Sequence, residues 1–174
     1  MCALFASLVT IGAFIQVPIP FMDYFTLQFL FVILSGLILG PSKGATAVSV
    51  YVLMGLCGLP IFAAGGGLNY IVKPSFGFLI GFIVAAWVSG FISCKLKEYN
   101  YKNMLIASFG ALISVYSVGI MYKYFILNYY ISTKVGWLAL LMSCFPIDIP
   151  GDILLCFLGV YLGKRINSIV RFSK

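Results

Sequence analysis

The sequence contains no histidine. That excludes imidazole metal ligands, a histidine-based catalytic triad and an HExxH zinc site. Acids are almost as scarce: Asp23, Glu98, Asp148 and Asp152 are the full set. The five cysteines (Cys2, Cys57, Cys94, Cys144, Cys156) include no CxxC pair, and an odd number cannot all pair within the chain. Scattered along apolar stretches, they read as small packing residues. Charged residues make up 9% of the 174, against about 25% in soluble domains. Fifteen charges cannot clothe a globule of this length in water. There is no GxGxxG, and Gly163-Lys164-Arg165 lacks the Ser or Thr of a P-loop. The chain is therefore not its own ATPase.

What is present is apolar. Hydrophobic residues reach 63% and the mean hydropathy is +1.12, which reads as an all-α integral membrane protein. A span takes roughly 20 apolar residues, so this length holds about six transmembrane helices in a single membrane domain, residues 1–174, and no extramembrane domain. The apolar runs are 1–17, 25–40, 44–60, 74–93, 104–130 and 135–163. The first lacks a basic leader and a small-residue cleavage site, so it reads as a retained helix. Ala63–Leu68, rich in glycine, is unsuited to a lipid-exposed helix and reads as a connection or a re-entrant segment.

Basic residues orient the spans. With both termini cytoplasmic, eight lie inside (Lys43, Lys95, Lys97, Lys102, Lys164, Arg165, Arg171, Lys174) and three outside (Lys73, Lys123, Lys134). That asymmetry is the positive-inside pattern. Because the net charge of +7 flanks hydrophobic runs, a nucleic-acid partner is a poor reading and the lipid bilayer is the natural one. The basic tail Lys164–Lys174 suits anionic lipid.

Polar residues inside apolar runs mark where chemistry can reside. Asp152, within Ile149-Pro150-Gly151-Asp152, has two compatible readings: a carboxylate facing a ligand or partner, or the cap of a helix resuming after Pro150-Gly151. Asp148, a helical turn earlier, is better placed at the membrane–water interface. Lys73 sits beside the glycine-rich stretch on the low-charge side; it either snorkels or presents a cation to an anionic ligand. Gln28 prefers the bundle interior, and Asn128 lies in an aromatic cluster with Tyr124 that suits an interfacial belt or a ligand contact. On the first helix Ala3 and Ser7, and Ala6 and Thr10, are small-xxx-small pairs, followed by Gly12-Ala13; such spacing serves internal packing by default.

Several stretches together resemble the BioY family. They are Phe25-Thr26-Leu27-Gln28-Phe29-Leu30-Phe31 with Gly40-Pro41 and Gly44-Ala45, then Gly55-Leu56-Cys57-Gly58-Leu59-Pro60-Ile61-Phe62 and the glycines after it. Lys73-Pro74-Ser75-Phe76-Gly77-Phe78 and Ile149-Pro150-Gly151-Asp152-Ile153-Leu154 continue the series in order. The resemblance implies a biotin-specific S component of an energy-coupling-factor (ECF) transporter in the bacterial cytoplasmic membrane. It further implies six helices, a vitamin held near the outer face, and as partners a transmembrane coupling protein and two cytoplasmic ATPases. No cofactor is expected in the chain; ATP is used by the partners. Small residues on the first helix commonly make the coupling contact in this family, which raises that role for Ala3, Ala6 and Ser7.

Two departures from the family pattern remove cations: Leu155 stands where many relatives carry lysine, and Leu79 where some carry arginine. Lys73 then becomes the expected partner of biotin's carboxylate. Asp23-Tyr24 also replaces a usual Val-Pro. The candidate biotin site is Asp152, Lys73, Gln28, Thr26, Gly66, Asn69, Tyr70, Asn128 and Tyr124. The alternatives are a biotin transporter acting alone or as a homo-oligomer without ATPases, and an S component for another vitamin. An intramembrane enzyme is disfavoured by the absent histidine and the lack of a paired acid–base site.

Overall fold

The computed structural model describes residues 1–17, 25–96, 100–133, 135–144 and 148–172, with side chains given for all of these except 17, 143–144 and 167–172. Asp23, Tyr24, Lys97, Glu98, Lys134 and Lys174 lie outside the described residues, so the expectations resting on them are not addressed by the fold.

The described chain is almost entirely helical. Seven α-helices follow one another: α1 (Cys2–Phe14), α2 (Gln28–Leu39), α3 (Pro41–Leu56), α4 (Phe76–Leu96), α5 (Tyr101–Phe125), α6 (Trp137–Cys144) and α7 (Asp148–Phe172). Two short strands, β1 (Gln16–Val17) and β2 (Phe25–Thr26), pair antiparallel with Gln16 opposite Thr26. Phe25 and Thr26, expected at the start of the second helical run, are thus extended and lead into α2. Helix α3 begins three residues before the expected run because Pro41 occupies its first turn, where a missing N–H leaves no bond unmade.

Within the run 135–163 two helices are described, and residues 145–147 between them lie outside the described residues. The run contains the eight-residue α6 and most of the 25-residue α7. At 1.5 Å per residue α6 is about 12 Å long, far short of a bilayer, whereas α7 is about 37 Å. Helices α4 and α5, extended by a π-helical turn at Ile126–Tyr130, are each long and apolar enough to cross a membrane; α1 and α2 are shorter apolar helices.

The core is apolar and continuous. Phe29, Ile33, Leu37, Val48 and Tyr51 from α2 and α3 meet Ala85 and Ala86 of α4, Ala111 and Val115 of α5, and Cys156 and Val160 of α7. Buried Ser35, Ser89 and Ser108 return their hydroxyls to carbonyls of their own helices, Val32, Ala86 and Met104. No buried side-chain nitrogen or oxygen among the described residues lacks a hydrogen-bond partner. The outside is also apolar: Leu53, Ile113 and Leu154 are 60%, 66% and 69% exposed. Helices apolar all round are the pattern of a membrane span, as the composition required.

Four cysteines with described surroundings, Cys2, Cys57, Cys94 and Cys156, are free. Only Cys156 among them is buried; Cys57 and Cys94 are exposed rather than packed.

Candidate functional site

The two ends of the bundle differ. At one end the ammonium of Lys164, on α7, lies 3.6 Å from the centre of the Tyr101 ring at the start of α5, and Lys95 closes α4. At the other end α2, α4 and α7 begin and α5 finishes, and there the chain forms a partly open cavity of about 280 Å³.

Residues from six segments line it. Phe25 and Thr26 come from β2, Gln28 and Phe29 from α2, Ala63, Ala64, Tyr70, Lys73, Pro74 and Ser75 from the connection between α3 and α4. Phe78, Leu79 and Phe82 of α4, Val115 and Tyr116 of α5, and Asp148 and Asp152 of α7 complete it. The walls are thus largely aromatic and aliphatic, with a few polar groups, as suits a small organic ligand.

The connection from α3 to α4 is a folded cap rather than a loose loop. Phe62 and Gly65 exchange backbone hydrogen bonds of 2.8 and 3.1 Å, and Gly67 N–H donates to Gly55 C=O at 2.7 Å. The Phe62 ring, 2% exposed, sits between Tyr51 at 5.5 Å and Tyr70 at 4.7 Å between centroids. A 3₁₀ turn at Leu68–Val72 then delivers Tyr70 and Lys73 to the cavity. Tyr122 Oη, on α5, donates to Ile71 C=O at 2.5 Å and ties the cap to the bundle. The reading of this stretch as a connection therefore holds.

Lys73 lines the cavity from this cap. Its Nζ donates to Ala64 C=O at 3.0 Å and lies 4.7 Å from the centre of the Tyr70 ring. An ammonium has three N–H donors, so one bond to Ala64 anchors the cation without exhausting it. The leucines in place of the family's cations are both buried in the core, and Leu79 also lines the cavity.

Elsewhere in the lining, Thr26 Oγ1 donates to Gln28 Oε1 at 3.2 Å and Gln28 Nε2 donates to Tyr51 Oη at 2.7 Å. Tyr51 Oη in turn donates to Ile61 C=O at 3.1 Å. This chain holds the Gln28 amide, 3% exposed, in one orientation.

Asp152 is not a helix cap. Helix α7 starts at Asp148, so Asp152 lies one turn inside it, with Pro150 tolerated in the first turn. Its Oδ2 accepts a hydrogen bond of 2.8 Å from Tyr116 Oη. Asp148 joins it in the lining, so the preferred reading of Asp148 as a purely interfacial residue gives way to one in which it faces the same cavity. Gly151 lets this turn approach β2: a methyl there would sit 2.5 Å from the Phe25 ring.

Five of the nine candidate residues therefore meet in one cavity: Asp152, Lys73, Gln28, Thr26 and Tyr70. Four do not line it. Gly66 is needed for packing, because a Cβ there would collide with Leu59 C=O. Asn69 is exposed on the 3₁₀ turn. Asn128 is satisfied by backbone: Nδ2 donates to Tyr124 C=O and Val135 C=O, each at 3.1 Å, and Oδ1 accepts from Val135 N–H at 3.0 Å. Tyr124 stacks on Trp137 at 4.3 Å. Both belong to the corner between α5 and α6. Sequence reasoning missed Tyr116, Ser75 and the aromatic walls, since nothing distinguishes a lining aromatic from the many others in spans.

On α1, Ala6 is 2% exposed and packed in the core, while Ala3 and Ser7 are exposed. The three do not form one outward face. Ser7 Oγ donates to Ala3 C=O at 3.0 Å, leaving a small, satisfied surface.

The model of the BioY family matches residues 1–172. The chain belongs to the BioY family. Over 174 residues it is 37% identical to a probable biotin transporter BioY of Lysinibacillus sphaericus, covering 100% of this chain and 88% of the relative. Over 129 residues it is 38% identical to the biotin transporter BioY of Thermotoga maritima, covering 74% of this chain and 72% of that one. Among solved structures it is similar to the S-component for biotin from an ECF-type ABC transporter. That likeness has a TM-score of 0.83 and 26% identity, over 96% of this chain and 88% of the other.

Proposed function

We propose that this chain is the biotin-specific S subunit of an ECF-type transporter, capturing the vitamin for uptake. The observation that carries this reading is a mostly apolar cavity with a carboxylate on α7 and a lysine on the cap. Biotin has matching chemistry: a ureido ring with N–H donors, an apolar thiophane ring and valeryl chain, and a terminal carboxylate. Asp152 offers acceptors to the ureido N–H groups, Lys73 a cation to the carboxylate, and the aromatic walls the apolar contact. Family membership and relatives known as biotin transporters support it.

In this reading α1–α5 and α7 make six crossings, both termini are cytoplasmic, and the cavity faces outward, away from the basic end. The membrane is the bacterial cytoplasmic membrane. A transmembrane coupling protein and two cytoplasmic ATPases supply the energy, and Ala3 and Ser7 contact the coupling protein by close helix approach. The test is equilibrium binding to the protein purified in detergent. Biotin is expected to bind at one per chain and other vitamins not to compete; no saturable biotin binding sinks the reading. Topology is checked with an impermeant thiol reagent on intact cells, in a cysteine-free background. A cysteine at Thr133 should react and one at Lys102 should not; the reverse pattern overturns the orientation.

A further inference from the structure

Tyr116 is placed to do two things at once. Its hydroxyl donates to Asp152 Oδ2 at 2.8 Å across 36 positions of sequence. Its ring meets Phe78 edge-on, 6.0 Å between centroids at 81°, so both ends of the side chain are held. Behind it lies a second space of about 410 Å³ between α5, α6 and α7, open to the apolar exterior and lined by Leu112, Ile113, Ile120, Trp137, Leu141 and others. Tyr116 alone among the described residues lines both this groove and the cavity.

We propose that Tyr116 is the specificity-determining residue of the ligand cavity: it positions the Asp152 carboxylate and walls the acceptor end off from the groove. A carboxylate has two oxygens and several lone pairs but no donor of its own. With Oδ2 engaged by Tyr116, the carboxylate cannot rotate freely, and its remaining lone pairs present a fixed acceptor. That geometry selects ligands bearing N–H groups at this end. The ring meanwhile limits the size of what fits there, because beyond it the space continues into the groove. The inference deepens the biotin reading and rests on it.

The experiment compares biotin with a biotin alkylated on one ureido nitrogen. Affinities are measured for the wild-type chain, Tyr116→Phe, Tyr116→Ala, Asp152→Ala and the Tyr116→Phe/Asp152→Ala double variant. Loss of a hydrogen bond to a charged group weakens affinity roughly ten- to a hundredfold. Tyr116→Phe should therefore weaken biotin by about tenfold or more, and cost less than about twofold when Asp152 is already alanine. Equal losses in both backgrounds would overturn the positioning role.

Tyr116→Ala removes the partition, so the alkylated ligand should gain on biotin by about tenfold relative to wild type, the apolar substituent now entering the groove. Tyr116→Phe keeps the ring and should show no such gain. An unchanged preference in Tyr116→Ala overturns the partition, even if Asp152→Ala binds too weakly for the cycle. Wild-type protein that fails to bind biotin overturns the functional reading and this inference together. Wild-type binding left intact by Tyr116→Phe overturns the inference alone.

Discussion

Two corners of the same end of the bundle carry an amide among aromatic rings, and they have opposite characters. Around Gln28 the side-chain bonds run between side chains, from Thr26 through Gln28 to Tyr51, and the group borders a cavity. Around Asn128 every hydrogen bond that the amide makes goes to backbone, joining the π turn to Val135 while Tyr124 stacks on Trp137. Both satisfy the same rule, that an amide in an apolar surround must find partners. What separates them is whether the partners complete the fold alone or also border the cavity. Substitutions in the two corners should therefore split binding from stability.

Asp152→Asn should have the largest effect. The exchange keeps volume but aims an N–H donor at the ligand's own N–H donors, so biotin affinity should fall toward a hundredfold while the protein stays folded. Titration calorimetry with a parallel thermal melt checks both. Near-normal binding removes Asp152 from the site and erases the contrast between the corners.

Lys73→Met comes next, with biotin weakened about tenfold and a neutral biotin amide affected little. Because Lys73 also holds Ala64 C=O, some destabilisation of the cap should accompany it. Equal losses for the two ligands would make the lysine a structural clamp, like Asn128.

Asn128→Ala should show the converse. It leaves Val135 N–H and two carbonyls without their partner, costing about 1–3 kcal/mol of stability, yet biotin affinity should stay within about twofold. A binding loss larger than the stability loss would bring the second corner into the site.

The smallest effects on binding are expected on α1. Ser7→Leu should leave biotin affinity unchanged but reduce uptake in cells that carry the coupling protein and ATPases, since bulk on this exposed face keeps a partner helix away. Ala6→Leu overpacks the core and should cost about 1–3 kcal/mol of stability. Identical behaviour of the two variants would mean that α1 has no separate outward face.

Much of the helical layout was legible in the apolar runs, because a helix crossing lipid must satisfy its backbone internally and so must be long and apolar. The glycine-rich stretch between α3 and α4 was legible for the same reason. That two helices, α6 and α7, are described within the last run was not. Residues 145–147, between α6 and α7, lie outside the described residues, and the prolines, glycine and acids of 146–152 interrupt an apolar run without saying where a helix resumes. At the site, the acid in a span and the lone lysine on the low-charge side stood out because ionisable groups there are costly. Asn128 and Tyr124 stood out equally, yet the fold places both outside the cavity lining, bonded or stacked within the α5–α6 corner.

Sequence alone determined that the protein is a helical membrane protein of the BioY family, without histidine chemistry. It determined which few polar residues had to find partners away from lipid. Tertiary structure decided which of them share a cavity. It paired Asp152 with Tyr116 on another helix, turned Ala6 inward while Ala3 and Ser7 stay exposed, and packed Gly66 closely against the Leu59 backbone. The physical reason is that burial cost depends on local composition, which a sequence displays. A hydrogen-bond partner depends instead on the rotation and register of helices far apart in the chain, which only packing sets.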